Sequence, residues 1–576
     1  MNRKIIRSVV LFAAVAVLGG CEETLTVQNP NQGETSRVLG TPADAENLLG
    51  SFYRRWMSGV YGSGTDVQGM ANIFSLMNYS SLANDGQNSH APFSGATNYN
   101  NPGNVVQNNQ FRLYSILSEV NRVESEFRKK VIGGLTLGSP AQDARAMAFA
   151  NFLRGLSLGY IAMMHDSAGI VTENTGPLDA GVLYGYSTVA ESAYVAFERA
   201  LTLTDASLAA TGGNGFPLPS TWIPSPTSFT GPAFKQLVRS YRARIRANMA
   251  RTPAERAAVD WAAVIADAAA GITADHEITT STTTGPDYTW RNRWIAGLWH
   301  QMPPFFIGMA DTSGSYAAWI ATPVSARGAG NNGFFMATPD LRFPQGATRT
   351  AQIADFPLTQ CSNTPATKCK RYFLNRPAST DSYSGEGWGW SNYDFVRFES
   401  WRRRGDAGSA RNGATMFMSA SEIRLLRAEG LYRQGNFAAA GALVNVSRTA
   451  AMAGTPLVAT GGGLPAITVF DATTPVPGGN ACVPKVPVAP YNVIACGNLW
   501  EALKYEKRIE TAYTHYVPWY LDGRGWGDLP ETTPLFWAVP FQELQARGKS
   551  IAQLYGAGIG AGNAPNSAAG PSVYGW

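Results

Sequence analysis

Apolar residues recur at helical intervals along most of this chain, and stretches that alternate apolar with polar, as a half-buried strand would, are few. In 42–57, Ala45, Leu48, Leu49, Phe52, Tyr53 and Trp56 fall on one face of a helix. Thr41 suits its N-cap, and Pro42 the first helical position, where a missing N–H costs nothing. The spacing predicts a long amphipathic helix over 105–132 through Phe111, Tyr114, Ile116, Leu117, Val120, Val123 and Phe127. The stretch 141–164 is rich in Ala, Leu and Met on all sides and reads as a buried helix, paired with 187–205 across a Gly/Pro loop. Helices over 232–250 and 253–270 follow, the second entered through Thr252-Pro253.

Residues 419–451 carry a clearer pattern. Ile423, Leu426 and Ala428 line one predicted helix, Gln434-Gly435-Asn436 makes a turn, and Phe437, Ala440 and Leu443 line a second. The unit resembles a tetratricopeptide (TPR) hairpin, with 144–164/188–203 and 233–249/257–270 as weaker copies whose loops vary too much for a strict array. The segments 270–415 and 455–495 are dominated by Gly, Pro, Thr, Asn and aromatics, are too long for connectors, and read as surface loops, where function concentrates. The expected fold class is mainly α: TPR-like hairpins forming a scaffold with long irregular loop insertions.

The N-terminus changes the setting. Arg3, Lys4 and Arg7 precede an apolar run from Val9 to Leu18, about 10 residues, half of what a bilayer-spanning helix needs. Leu18-Gly19-Gly20-Cys21 resembles a bacterial lipobox. The expectation is a signal peptide over 1–20 and a mature chain, 21–576, anchored through acyl chains such as palmitate on Cys21. An exported chain admits disulfides, and the remaining cysteines form two local pairs, favouring Cys361–Cys369 and Cys482–Cys496 over the other two connectivities.

Composition narrows the function. The 576 residues permit a large core; charged residues are 15% against the usual quarter or so. A net charge of +5 spread along the chain gives no case for nucleic acid. The 5 histidines are scattered, with no HExxH, GxSxG or P-loop spacing, so no metal site, cofactor or enzyme activity is expected. His165-Asp166 after an apolar helix could be a catalytic pair, but a histidine serving the helix C-terminus is the simpler reading. Acid and nucleophile carboxylates of a glycosidase could hide among 41 acidic residues. With 15 Trp and 23 Tyr, many in Asn-, Ser- and Gly-rich stretches, a carbohydrate- or protein-binding surface fits, although any single ring belongs more readily to the core.

Near the C-terminus, Leu499-Trp-Glu-Ala-Leu-Lys-Tyr-Glu-Lys-Arg-Ile-Glu510 leads through Tyr513, Tyr516 and Trp519 into Gly523-Arg-Gly-Trp-Gly-Asp-Leu529 and Phe536-Trp-Ala-Val-Pro540. Together with the lipobox, the early helix and the TPR-like hairpin, this resembles the SusD/RagB family across essentially the whole mature chain, departing at Thr511 and Pro530. Glu506, Arg508, Glu510 and Asp528 read as a structural ion-pair network, with Arg524 the cation expected to separate Glu506 from Glu510. The resemblance implies a single SusD-like unit over 21–576, with an N-terminal helical part (21–270) and a loop-rich C-terminal part (271–576). It also implies a cell-surface, outer-membrane lipoprotein that captures oligosaccharides or peptides and hands them to a SusC-like TonB-dependent transporter. Glu22-Glu23 suits an acidic surface-export signal.

Capture needs aromatic platforms flanked by hydrogen-bonding groups. Three clusters qualify: Trp290 and Trp294 in 288–299, Trp388 and Trp390 in 383–401, and Tyr79 with Asp85 in 78–100. For each, core packing or contact with the transporter competes with ligand binding. A TPR-type scaffold lipoprotein binding only proteins is the alternative function, and a secreted glycan-degrading enzyme a third.

Overall fold

The computed structural model describes residues 41–60, 67–77, 105–176, 182–210, 215–281, 302–323, 326–327, 334–357, 369–376, 391–397, 413–455, 457–514, 517–531, 533–537, 539–549, 568 and 573–574. Its helices include α1 (Pro42–Val60), α2 (Val67–Phe74), α3 (Val105–Ile132), α4 (Pro140–Met164), α5 (Tyr186–Ala209), α6 (Gly231–Asn248), α7 (Pro253–Ala257), α8 (Trp261–Ala269), α9 (Ala420–Arg433), α10 (Phe437–Thr449), α11 (Leu499–Thr511), α12 (Pro518–Trp526) and α13 (Phe541–Ala546). Strands among the described residues are short and pair two by two, including β1 (Ser167–Gly169) with β2 (Leu183–Gly185), β3 (His276–Thr280) with β6 (Gly413–Met418), β4 (Phe373–Asn375) with β5 (Tyr393–Phe395), and β7 (Lys485–Val488) with β8 (Val493–Cys496), each antiparallel. The fold is mainly helical, as the spacing implies.

Helix α4 is the centre. Pro140 occupies its first turn and the Ser139 hydroxyl accepts from Gln142 N at 3.3 Å, so its start is capped. It is apolar all round because it is buried all round, by α3, α5 and α6. It is long and apolar enough to cross a membrane, but its whole apolar window lies inside the protein. Gly155 and Gly159 let its neighbours approach: a Cβ at either would come within 2.7 Å of the Phe197 ring on α5 or of Ile245 on α6.

Helix α1 buries the predicted face, with Thr41 Oγ1 accepting from Asp44 N at 3.2 Å. Trp56 is fully buried, edge-on to Tyr160 (5.1 Å) and Tyr241 (6.0 Å), which ties α1 to α4 and α6. The expected helix over 253–270 is two helices. Asp260 breaks it because its carboxylate caps α8, accepting from Ala263 N at 3.0 Å.

The α9–α10 hairpin has the predicted turn. Gly435 adopts a left-handed φ of +78°, and Asn436 caps α10 through Ala439 N. Ile423, Leu426, Ala428 and Ala440 are buried, while Phe437 and Leu443 are partly buried against a second cluster formed with α11.

The two segments expected to be surface loops are partly core. Phe305, Phe306, Phe343, Phe373 and Tyr393 from 270–415, and Leu464, Ile467 and Val483 from 455–495, are all buried. Phe343 and Phe373 stack at 4.1 Å. Their apolar residues lack a long period because short elements present them, a four-residue helix at Pro304–Ile307 and the three-residue strands β4 and β5, with irregular backbone between.

Candidate functional site

The C-terminal signature helix, α11, is buried from Leu503 to Thr511 despite its charges. Every described charge on it meets a partner. Glu506 accepts both Nη1 (2.7 Å) and Nη2 (3.1 Å) of Arg342, which also grips Asp340 through Nε (2.9 Å) and Nη2 (2.7 Å) and reaches Glu510 at 3.4 Å. Burial works against the Arg342 guanidinium, but Asp340 and Glu506 raise its pKa well above the ordinary value. Arg397 pairs with Glu510 at 3.2 Å and lies 4.1 Å from the Tyr372 ring.

On another side Lys507 reaches Asp522 (2.8 Å) and Glu429 of α9 (3.5 Å), and Arg256 of α7 holds Glu429 through Nε (2.8 Å) and Nη2 (2.6 Å). Burial opposes ionisation of Glu429, yet Arg256 and Lys507 hold its carboxyl well below the ordinary 4.5. Asp528 completes the set, pairing with Arg508 and with Lys504 at 3.2 Å. The network joins α7, α9, α11 and α12 to the 340–342 segment.

A different cluster borders solvent. The chain leaves α4 at His165-Asp166, where Asp166 N donates to Trp537 O and Trp537 N to Met164 O, so the Phe536-Trp537 segment clasps the end of the helix. Asp166 O accepts Tyr186 N at 2.9 Å, setting the first residue of α5. Arg251, just past α6, donates to His165 O at 2.7 Å and Ala162 O at 3.2 Å, satisfying the C-terminal carbonyls of α4. Its guanidinium is sandwiched between the Tyr186 ring (3.6 Å) and the Phe536 ring (4.4 Å). Burial, and then nearby Arg524, push the Arg251 pKa down to about 10. Glu255 accepts Arg251 N at 2.7 Å, and burial first, then the nearby Glu255 charge, raises the Tyr186 phenol pKa above its ordinary value. Beside this stack opens a cleft of about 380 Å³, lined by Tyr186, Glu191, Tyr194, Arg246, Glu255 and Asp260 among others. Arg246 lies 4.7 Å over the Tyr194 ring.

No protein-family model matches the sequence, and no curated protein matches it. Solved structures do. A SusD superfamily protein from Bacteroides vulgatus aligns over 88% of this chain and 97% of its own, with 12% identity and a TM-score of 0.51. The chain has the SusD-superfamily fold. A SusD-like protein from Bacteroides fragilis (13% identity, 85% of this chain, 87% of its own, TM-score 0.47) and a laminarin-binding SusD-like protein (13%, 88%, 98%, TM-score 0.43) align more loosely and add nothing to that assignment.

Within this SusD-like fold the signature residues Glu506, Arg508, Glu510 and Asp528 are all buried and paired. The expected cation is corrected. Arg524 donates instead to Leu535 O (2.8 Å) and Asn248 O (2.7 Å), and Arg342, from a segment read as surface loop, sits between Glu506 and Glu510. Cys482 and Cys496 form a disulfide that closes the β7–β8 hairpin. Cys369 is disulfide-bonded too, its expected partner Cys361 lying outside the described residues.

His165 is wholly buried, edge-on to Tyr114 at 5.1 Å, which withdraws it from any solute. The Ala162 and His165 carbonyls at the end of α4 are served by Arg251. Cys21, Tyr79, Asp85, Trp290, Trp294, Trp388 and Trp390 lie outside the described residues. Of the 383–401 cluster, Tyr393 and Phe395 are core residues of β5. The Tyr186 cleft was not read from the sequence: its residues come from α5, α6, α7 and the cap of α8, and no spacing motif links them. A capping box, Thr252-x-x-Glu255, was the one local signal there.

Proposed function

We propose that this chain is a non-catalytic capture lipoprotein: held to the outer membrane by acyl chains on Cys21, it binds an oligosaccharide at the cell surface and passes it to a TonB-dependent transporter. The SusD-superfamily fold is the observation that carries the reading, because it joins a helical scaffold to a chain whose N-terminus has lipobox spacing at Leu18–Cys21. Fold alone does not specify function; the excess of Trp and Tyr among Asn, Ser and Gly supports a saccharide over an apolar ligand. Residues 21–576 act as one unit in this reading, in keeping with a buried apolar cluster that runs from Ala45 to Tyr574.

The test is a binding screen of oligosaccharides and peptides against protein beginning just after Cys21, repeated with Trp290→Ala and Trp388→Ala. Affinity for one saccharide class, reduced by either substitution in a folded protein, supports capture. Binding to outer-membrane barrels with no affinity for any saccharide or peptide would instead favour the scaffold role, for which the TPR-like α9–α10 hairpin offers the surface. Fractionation of the full chain and of Cys21→Ser tests the anchor, with the variant expected to leave the membrane fraction.

A further inference from the structure

The cleft beside Tyr186 has features that neither the signature network nor the loop aromatics account for. Its ring is braced: Phe536, Arg251 and Tyr186 form a three-layer stack, and the Glu255 carboxylate that accepts Arg251 N stands near the phenol. Tyr186 nonetheless stays only partly buried and lines open space. An aromatic face with so few degrees of freedom loses little entropy when a flat ligand settles on it. Around it stand three carboxylates, Glu191, Glu255 and Asp260, and two guanidinia, Arg246 in the lining and Arg251 stacked on the ring, in a chain whose overall charge is +5. The volume of about 380 Å³ lies in the usual range for small-molecule sites.

We propose that this cleft is a sugar-ring subsite, in which a neutral or amine-substituted hexose residue packs on Tyr186 and donates its hydroxyl protons to Glu191, Glu255 and Asp260. The assignment rests on the capture reading above and gives it a location within the helical scaffold. A hydrogen-bonded carboxylate is a strong acceptor for vicinal hydroxyls. Three carboxylates in the lining outnumber Arg246 and the Arg251 guanidinium stacked on the ring, and so disfavour a uronate or sialate, whose own charge would meet like charge at short range. An extended peptide is the poorer occupant, because the lining residues sit on α5, α6, α7 and the cap of α8, so there is no strand edge to pair with its backbone.

Calorimetric titration of the soluble mature chain with maltohexaose, laminarihexaose, chitohexaose, oligogalacturonate and trilysine tests this. Glu191→Arg is the first variant, since Glu191 is exposed on α5 and holds no element together; Tyr186→Ala is the second, with thermal melting as the check on folding. The expected result is affinity for at least one neutral hexaose, weakened at least ten-fold by Glu191→Arg and by Tyr186→Ala, with oligogalacturonate not bound by the wild type. A hexaose bound equally well by wild type and Glu191→Arg would overturn the subsite and leave capture standing at another place. Binding of trilysine alone, lost in Glu191→Arg, would reassign the cleft to basic peptides. No saccharide bound by the wild type would overturn both this subsite and the capture reading.

Discussion

Arg342 and Glu506, 164 positions apart in sequence, face each other with both side chains sealed from solvent and a 2.7 Å hydrogen bond between them. The pair fastens an irregular insertion to the signature helix. Because Arg342 also serves Asp340 and Glu510, one cation offsets three buried carboxylates. Replacing it with methionine leaves Asp340 and Glu506 without this cation, while Glu510 keeps Arg397, and is expected to cost about 3–5 kcal/mol of unfolding free energy in urea titrations. The double variant Arg342→Met/Glu506→Met should recover part of that loss. Additive losses in the double variant would show that the two side chains act independently.

Glu429 ties stability to pH. Its folded-state pKa is depressed, so the contribution is complete above the unfolded-state value of about 4.5 and declines as pH falls below it. At neutral pH, Glu429→Gln should be about 3–5 kcal/mol less stable than wild type. Between pH 6 and pH 3 that gap should narrow by about 2 kcal/mol, from the part of the interval below 4.5. Urea denaturation across the interval reads the gap directly, and a constant difference would refute the linkage.

The close crossing of α4 and α5 depends on Gly155. A side chain there meets the Phe197 ring before it finds room, at 2.7 Å for its first carbon. Gly155→Val should therefore lower stability by about 1–3 kcal/mol through overpacking. Gly155→Val combined with Phe197→Leu should regain some of it, measured by thermal melting of both proteins. Equal or greater loss in the combined variant would locate the strain elsewhere.

The Cys482–Cys496 bridge closes a short loop of separation 14 around the β7–β8 hairpin. In the chain-entropy view such a loop is worth about 3 kcal/mol. Cys482→Ala/Cys496→Ala should lower the melting temperature and make 482–496 the first segment cut by limited proteolysis. An unchanged cleavage pattern would mean that packing alone, with Val483 and Val486 buried, holds the hairpin.

Most of the helical architecture could be read from the chain because it is local. The face of α1 follows from residues three and four apart, the α9–α10 turn from Gly435-Asn436, and the burial of α4 from apolar residues on every side. The signature at 499–510 marked its own charges as paired. The break at Asp260 was less visible, since a capping carboxylate and a helix-interior aspartate look alike until the backbone is seen.

What the sequence by itself determined, then, is the helical class, the hairpin, the short-loop disulfide at Cys482–Cys496 and the residues of the ion-pair network on α11. Only the tertiary structure decided which partners those charges take, that Arg342 and not Arg524 divides Glu506 from Glu510, and that Tyr186, Arg251 and Phe536 stack beside a cleft. The reason is range. Hydrogen bonds and apolar periodicity within a helix act over three or four residues, whereas a buried cation pairs with whichever carboxylate the packing of distant segments brings within about 3 Å, and no local pattern records that choice.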